Sequence, residues 1–140
     1  MRRKETRMKK AISMSVKPVI LGSEKLSSKL TFLLFIKYWL ISCVFDEKIG
    51  FLSKINIFSS CRMLSSSYDD RFILMNLERF VVEHEEWATF LLIPTTERYK
   101  DFVERNREKL ESKFIIRFPE QIMSKGELFP LKCTNLRKDL

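Results

Sequence analysis

The sequence predicts a helix-dominated α+β fold: two main helices and a short strand pair in the C-terminal half, preceded by a basic and apolar leader. Three observations carry that prediction. The chain has 140 residues and a net charge of +8, yet residues 1–65 hold 13 Lys and Arg against four Asp and Glu, whereas the rest hold 13 against 14. Apolar residues between positions 71 and 110 recur at three- and four-residue steps, the period of helices with one buried face. Only three Gly and four Pro occur, too few for a turn-rich barrel or sandwich. The expected division is therefore a leader over 1–64 and a small domain over 65–140.

The leader opens with Arg2, Arg3, Lys4, Arg7, Lys9, Lys10 and Lys17 against the single acid Glu5. Met8, Ile12 and Val16 give a helix here a narrow apolar edge, and Pro18 and Gly22 stop it. Leu30–Phe45 is the most hydrophobic run. As a helix its length is about 24 Å, short of the roughly 30 Å hydrocarbon layer. Lys37 at its middle costs about 2.5–3.5 kcal/mol on insertion scales, so a membrane span is not favoured over a buried segment that carries the amine to the surface. Phe51–Phe58 partly alternates and suggests a short strand or a second interfacial segment. The serine-rich stretch from Ser59 to Ser67 coincides with the charge break. Arg62-Met63-Leu64-Ser65 resembles a mitochondrial processing site, and Met63 is an alternative start.

Past this joint, Ser67, Asp69 and Asp70 supply a cap and an acidic first turn for a helix starting near Arg71. Ile73, Leu77, Phe80, Val81, His84, Trp87, Ala88 and Leu91 fall on one face. Phe72, Met75 and Val82 widen the apolar surface, which predicts a central helix covered on more than one side. Leu91-Leu92-Ile93 extends this helix or begins an extended stretch, and Pro94 ends it. Thr95 or Thr96 caps a second helix from Glu97 to about Ser112, with Tyr99, Phe102, Val103, Asn106 and Leu110 inward. Its outer face offers Asp101–Arg105 and Lys100–Glu104 pairs. Phe114–Phe118 reads as an edge strand closed by Pro119, and Leu128-Phe129 as its partner.

No motif names a chemistry. His84 is the single histidine, which leaves a zinc site without its ligand set. Cys43, Cys61 and Cys133 are odd in number and scattered, the pattern of incidental thiols in a reducing compartment. Walker, dinucleotide and nucleophile-elbow motifs are absent, and no metal, cofactor or small-molecule ligand is implied. The leading expectation is a small non-enzymatic interaction or assembly factor, delivered to a mitochondrion or membrane by its leader, with a cytoplasmic site as the alternative. It would dock another protein through Ile73, Leu77, Phe80, Val81, Trp87 and Leu91. The first rival is an RNA- or ribosome-associated protein tethered by Arg2, Arg3, Lys4, Arg7, Lys9 and Lys10, which could equally meet anionic lipid. A strip of Arg98, Arg105, Lys109, Lys113 and Arg117 is interleaved with acids that blunt its field. A hydrolase or transferase using Glu83, Glu86 or Cys133 is the last reading.

Overall fold

Apolar stretches from both halves of the chain lie side by side as parallel strands. A computed structural model describes residues 15–49, 59–64 and 69–123. In chain order the elements are β1 (Val16–Leu21), α1 (Lys25–Tyr38), β2 (Ser42–Asp46), β3 (Ser59–Met63), α2 (Asp70–Glu83), β4 (Thr89–Pro94), α3 (Glu97–Arg105), α4 (Arg107–Glu111), β5 (Phe114–Ile116) and α5 (Pro119–Met123). The strand order is β3-β2-β1-β4-β5, and every pairing is parallel.

This corrects the predicted fold class. The protein is α/β rather than a helix-dominated α+β fold with one strand pair, and residues 16–63 are not a leader. They supply three of the five strands, with β1 at the centre between β2 and β4. The position proposed for processing, after Leu64, separates β3 from α2. A cut there would remove β1, β2 and β3.

The misreading has a physical cause. Strands buried on both faces show no alternation and read as plain apolar runs. β1 is such a strand: Val19, Ile20 and Leu21 are each fully buried. Pro18 looks like a breaker, but the β1–β2 ladder begins only at Val19, so the proline stands beyond its end. The Leu30–Phe45 run splits between α1 and β2. Trp39 ends α1 in the left-handed region at φ 60°, its N–H donating to the Phe35 carbonyl at 2.8 Å and the Leu40 N–H to the Leu34 carbonyl at 3.3 Å. Lys37 reaches the Ile122 carbonyl on α5 at 3.2 Å. Among the described residues no helix is long and apolar enough to cross a membrane.

Alternate residues of the strands feed two cores. On one face Val19, Leu21, Cys43, Phe45, Phe90, Leu92, Phe114 and Ile116 pack under α2, α3 and α4. On the other, Val16, Ile20, Val44, Leu91 and Ile93 pack under α1 and α5. The predicted caps form: Asp69 accepts from the Arg71 N–H, and Thr96 from the Tyr99 N–H. α2, however, stops at Glu83. His84 leaves helical geometry at φ −123°, and Leu91 belongs to β4. Phe51–Phe58 and Leu128-Phe129 lie outside the described residues.

Candidate functional site

In an open doubly wound sheet, ligands bind outside the carboxyl ends of the strands where the strand order reverses. Here that point lies between β1 and β4. β1 leads into α1 on one face, and β4 leads into α3 on the other. The crevice that this rule places here would have as its floor Gly22 and Ser23 after β1 and Thr95 and Thr96 after β4.

Gly22 is required by the backbone and by space. It sits at φ +110°, and a Cβ there would lie 2.2 Å from Thr95 Oγ1. Its N–H donates to the Phe45 carbonyl at 2.8 Å. Thr95 returns the contact: its N–H and its hydroxyl both donate to the Leu21 carbonyl, at 3.0 and 2.8 Å. Ser27, fully buried in the first turn of α1, donates its hydroxyl to the Gly22 carbonyl. β1, β2, β4 and α1 are thus clamped at one place.

Asp46, the last residue of β2, organises the polar wall beside this floor. Oδ2 accepts from the Ser23 N–H at 2.9 Å. Oδ1 accepts from the Tyr99 hydroxyl at 2.8 Å and from the Glu47 N–H at 2.7 Å. Ser23 Oγ lies 2.7 Å from the Lys48 carbonyl and 3.1 Å from Asp46 Oδ2, with one proton to share between them. Tyr99 is 2% exposed, so its ring packs in the core and only the hydroxyl is presented to the wall. Arg98 and Glu47 close the rim as an ion pair at 3.2 Å. Through these contacts Asp46 joins the β1–α1 turn to α3 across β2.

The residues expected to dock a partner lie elsewhere. Ile73, Leu77 and Phe80 are buried in the core under α2, with Val81 and Trp87 partly buried against it. Leu91 is buried on the opposite face of the sheet. Four of the six side chains are therefore buried within the fold: the sheet covers the three on α2, and Leu91 of β4 packs under α1 and α5. The basic cluster Arg2, Arg3, Lys4, Arg7, Lys9 and Lys10 and the thiol of Cys133 lie outside the described residues.

On the proposed basic strip, Arg98 is paired as above, and Arg105 binds Asp70 at 2.9 Å rather than Asp101. Lys100 approaches Glu97 and Glu120, at 3.8 and 3.7 Å. Arg107, outside the predicted strip, holds Glu104 and Glu111. His84 Nδ1 is 2.8 Å from the Phe80 carbonyl, which can only accept, so Nδ1 carries the proton. Its ring stacks on Phe80 at 4.1 Å. Among the described residues no group of His, Cys, Asp and Glu is arranged to hold a metal ion.

At the opposite end of the sheet Lys17 Nζ donates to the Ile41 carbonyl at 2.9 Å and lies 5.6 Å from the Trp87 ring centre. Burial holds its amine below the ordinary lysine range, against the pull of Cys43 and Glu86. Burial also pushes the Cys43 thiol up, outweighing the Ser60 hydrogen bond and the nearby Arg62 and Lys17. A raised thiol is a poor nucleophile near neutral pH.

One pH dependence follows from Asp70. Hydrogen bonds from Arg105 (at 3.0 and 2.9 Å) and Asn106 (at 2.8 Å) hold its carboxyl below the usual aspartate range. A depressed folded pKa adds stability above the unfolded value, about 3.9, and that stability is lost as pH falls through the folded value. Urea titrations of wild type and Arg105→Met from pH 7 to 2 should therefore converge below about pH 4 and separate above it. Curves that stay parallel throughout would refute the linkage.

Sequence reasoning missed Gly22, Ser23, Asp46 and Tyr99 as one group. The available signal was two apolar runs, each ending in small or hydroxyl residues ahead of a helix: Leu21-Gly22-Ser23 and Pro94-Thr95-Thr96.

No family model matches the sequence, and no curated protein and no solved structure matches it. The fold places the chain in the class of doubly wound parallel α/β proteins, with its candidate site at the strand-order reversal.

Proposed function

We propose that the chain is a ligand-binding α/β module, taking a small polar molecule at the carboxyl ends of β1 and β4. The carrying observation is the reversal of strand order there, which opens the first turns of α1 and α3 beside a floor of Gly22 and Thr95. The residues following the strands are mixed in charge: Glu24, Glu47 and Glu97 alternate with Lys25, Lys48 and Arg98. Such a rim suits a molecule bearing both donors and acceptors better than a polyanion. This departs from the expectation that no small-molecule ligand is involved.

Amide-resolved NMR titration with sugars, nucleosides and amino acids tests the reading. Shifts should gather at Gly22–Lys25, Asp46–Lys48 and Thr95–Arg98. Hits that consistently map elsewhere, or no hits at millimolar concentration, would remove it.

The interaction-factor reading is retained as a second proposal on different residues, because Phe72, Met75 and Val82 stand exposed on α2. A mitochondrial address, in this reading, is confined to the segment before β1. The RNA tether likewise rests on Arg2–Lys10 and predicts binding that weakens steeply with added salt.

A further inference from the structure

α2 buries Ile73, Leu77 and Phe80 and turns its opposite face outward. That face carries Arg71, Met75, Glu78 and Val82, spaced four, three and four residues apart, with Phe72 and Arg79 on its flank. This is the repeat by which one helix lies along another. Three large apolar side chains on it are uncovered: Phe72 is 42% exposed, Met75 47% and Val82 63%. Their spacing predicted a helix covered on more than one side, and within the described fold it is covered on one.

The charges on this face say what would cover it. Arg71 lies toward one end and Glu78 toward the other, with the Arg71 side chain 89% exposed and paired, among the described residues, to Asp69 at 3.0 Å. Turn a second copy of the helix antiparallel about an axis beside Met75, midway between Arg71 and Glu78. Arg71 of one copy then lies level with Glu78 of the other, on both sides of the axis, and the two Glu78 carboxylates stand about 10 Å apart along the helices. Met75 and Phe72 meet between these pairs. The face is thus complementary to itself, as a two-fold interface requires. A parallel arrangement would set Arg71 against Arg71 and Glu78 against Glu78.

We propose that the outer face of α2 docks a second copy of this chain as an antiparallel helix pair, with Arg71–Glu78 contacts crossing the two-fold axis. The inference rests on the interaction reading of α2 and is independent of the crevice. A contact through one helix lies at the small end of specific interfaces, below about 1,200 Å² in total, so the dimer is weak and concentration-dependent.

Sedimentation equilibrium of the full chain from micromolar to near-millimolar concentration measures it. Arg71→Glu and Glu78→Arg, each alone, should weaken dimerisation about tenfold, and the double swap should restore it to within about threefold of wild type. Met75→Asp should abolish it. All four variants lie on the surface, so dilute samples should unfold at the wild-type urea midpoint, which separates lost docking from lost folding. A chain monomeric at every concentration, a dimer insensitive to Met75→Asp, or single swaps without recovery in the double would each overturn the proposal. NMR mapping of the crevice is unaffected by either result.

Discussion

Gly22→Ala is expected to lower the unfolding free energy by about 2–6 kcal/mol in urea denaturation. Two separable terms make up this loss. An alanine at φ +110° carries backbone strain of about 1–3 kcal/mol wherever it is placed. Its Cβ must also displace the Thr95 hydroxyl, which would lie 2.2 Å away and is held by its own bond to the Leu21 carbonyl. Such overpacking costs about 1–3 kcal/mol. Thr95→Ala in the same chain relieves the second term alone, so the double variant should lose less than the sum of the singles. Strict additivity would mean that Gly22 and Thr95 do not touch. The site would suffer with the fold, because the same two residues form the floor of the crevice.

Phe80→Ala is expected to lose about 3–5 kcal/mol. The ring is 1% exposed and meets Phe45 edge-on at 5.4 Å and Phe90 at 6.0 Å, with His84 stacked on it. Domains of ordinary stability hold only about 5–15 kcal/mol, so this single change removes a large share. Met75→Ala, five residues away and outward, should stay within about 0.5 kcal/mol of wild type. The contrast distinguishes the two faces of α2. A small effect at Phe80 together with a lost partner would support the sequence expectation, in which this stripe docks another protein.

Legibility in the sequence divides along physical lines. The caps at Asp69 and Thr96 and the start of α3 were readable because a helix terminus is satisfied by residues next to it. The strand at Phe114 and its edge position were readable from alternation and from Pro119. Helical spacing was carried too far at Trp87, Ala88 and Leu91. Residues at three- and four-step intervals look alike whether they continue a helix or begin β4, and the break falls at His84, a residue with no breaking signature. The stop of α1 at Trp39 was hidden for the same reason, since no glycine marks its left-handed turn.

β3 escaped notice differently. Ser59–Met63 is short, polar and at the sheet edge, so it resembles a linker. Arg62, which in sequence resembles part of a cleavage pattern, bonds Glu83 at 2.9 Å and lies 5.4 Å from the Phe80 ring centre. The Asp101–Arg105 pair was legible as spacing, yet Arg105 turns to Asp70 on α2, whose carboxylate accepts two hydrogen bonds from it and one from Asn106.

By itself, then, the sequence determined where α2 and α3 start, their caps, and the inward residues Ile73, Leu77, Phe80, Tyr99, Phe102, Val103 and Leu110, all of which depend on neighbours within a few positions. The parallel sheet, and the strand-order reversal that defines the candidate site, were decided by tertiary structure. A parallel strand has no hairpin partner beside it in the chain. Val16 finds Thr89 and Val19 finds Cys43 only after the helices have crossed over. Gly22, Asp46 and Tyr99, drawn from three separate segments, become one site through that pairing.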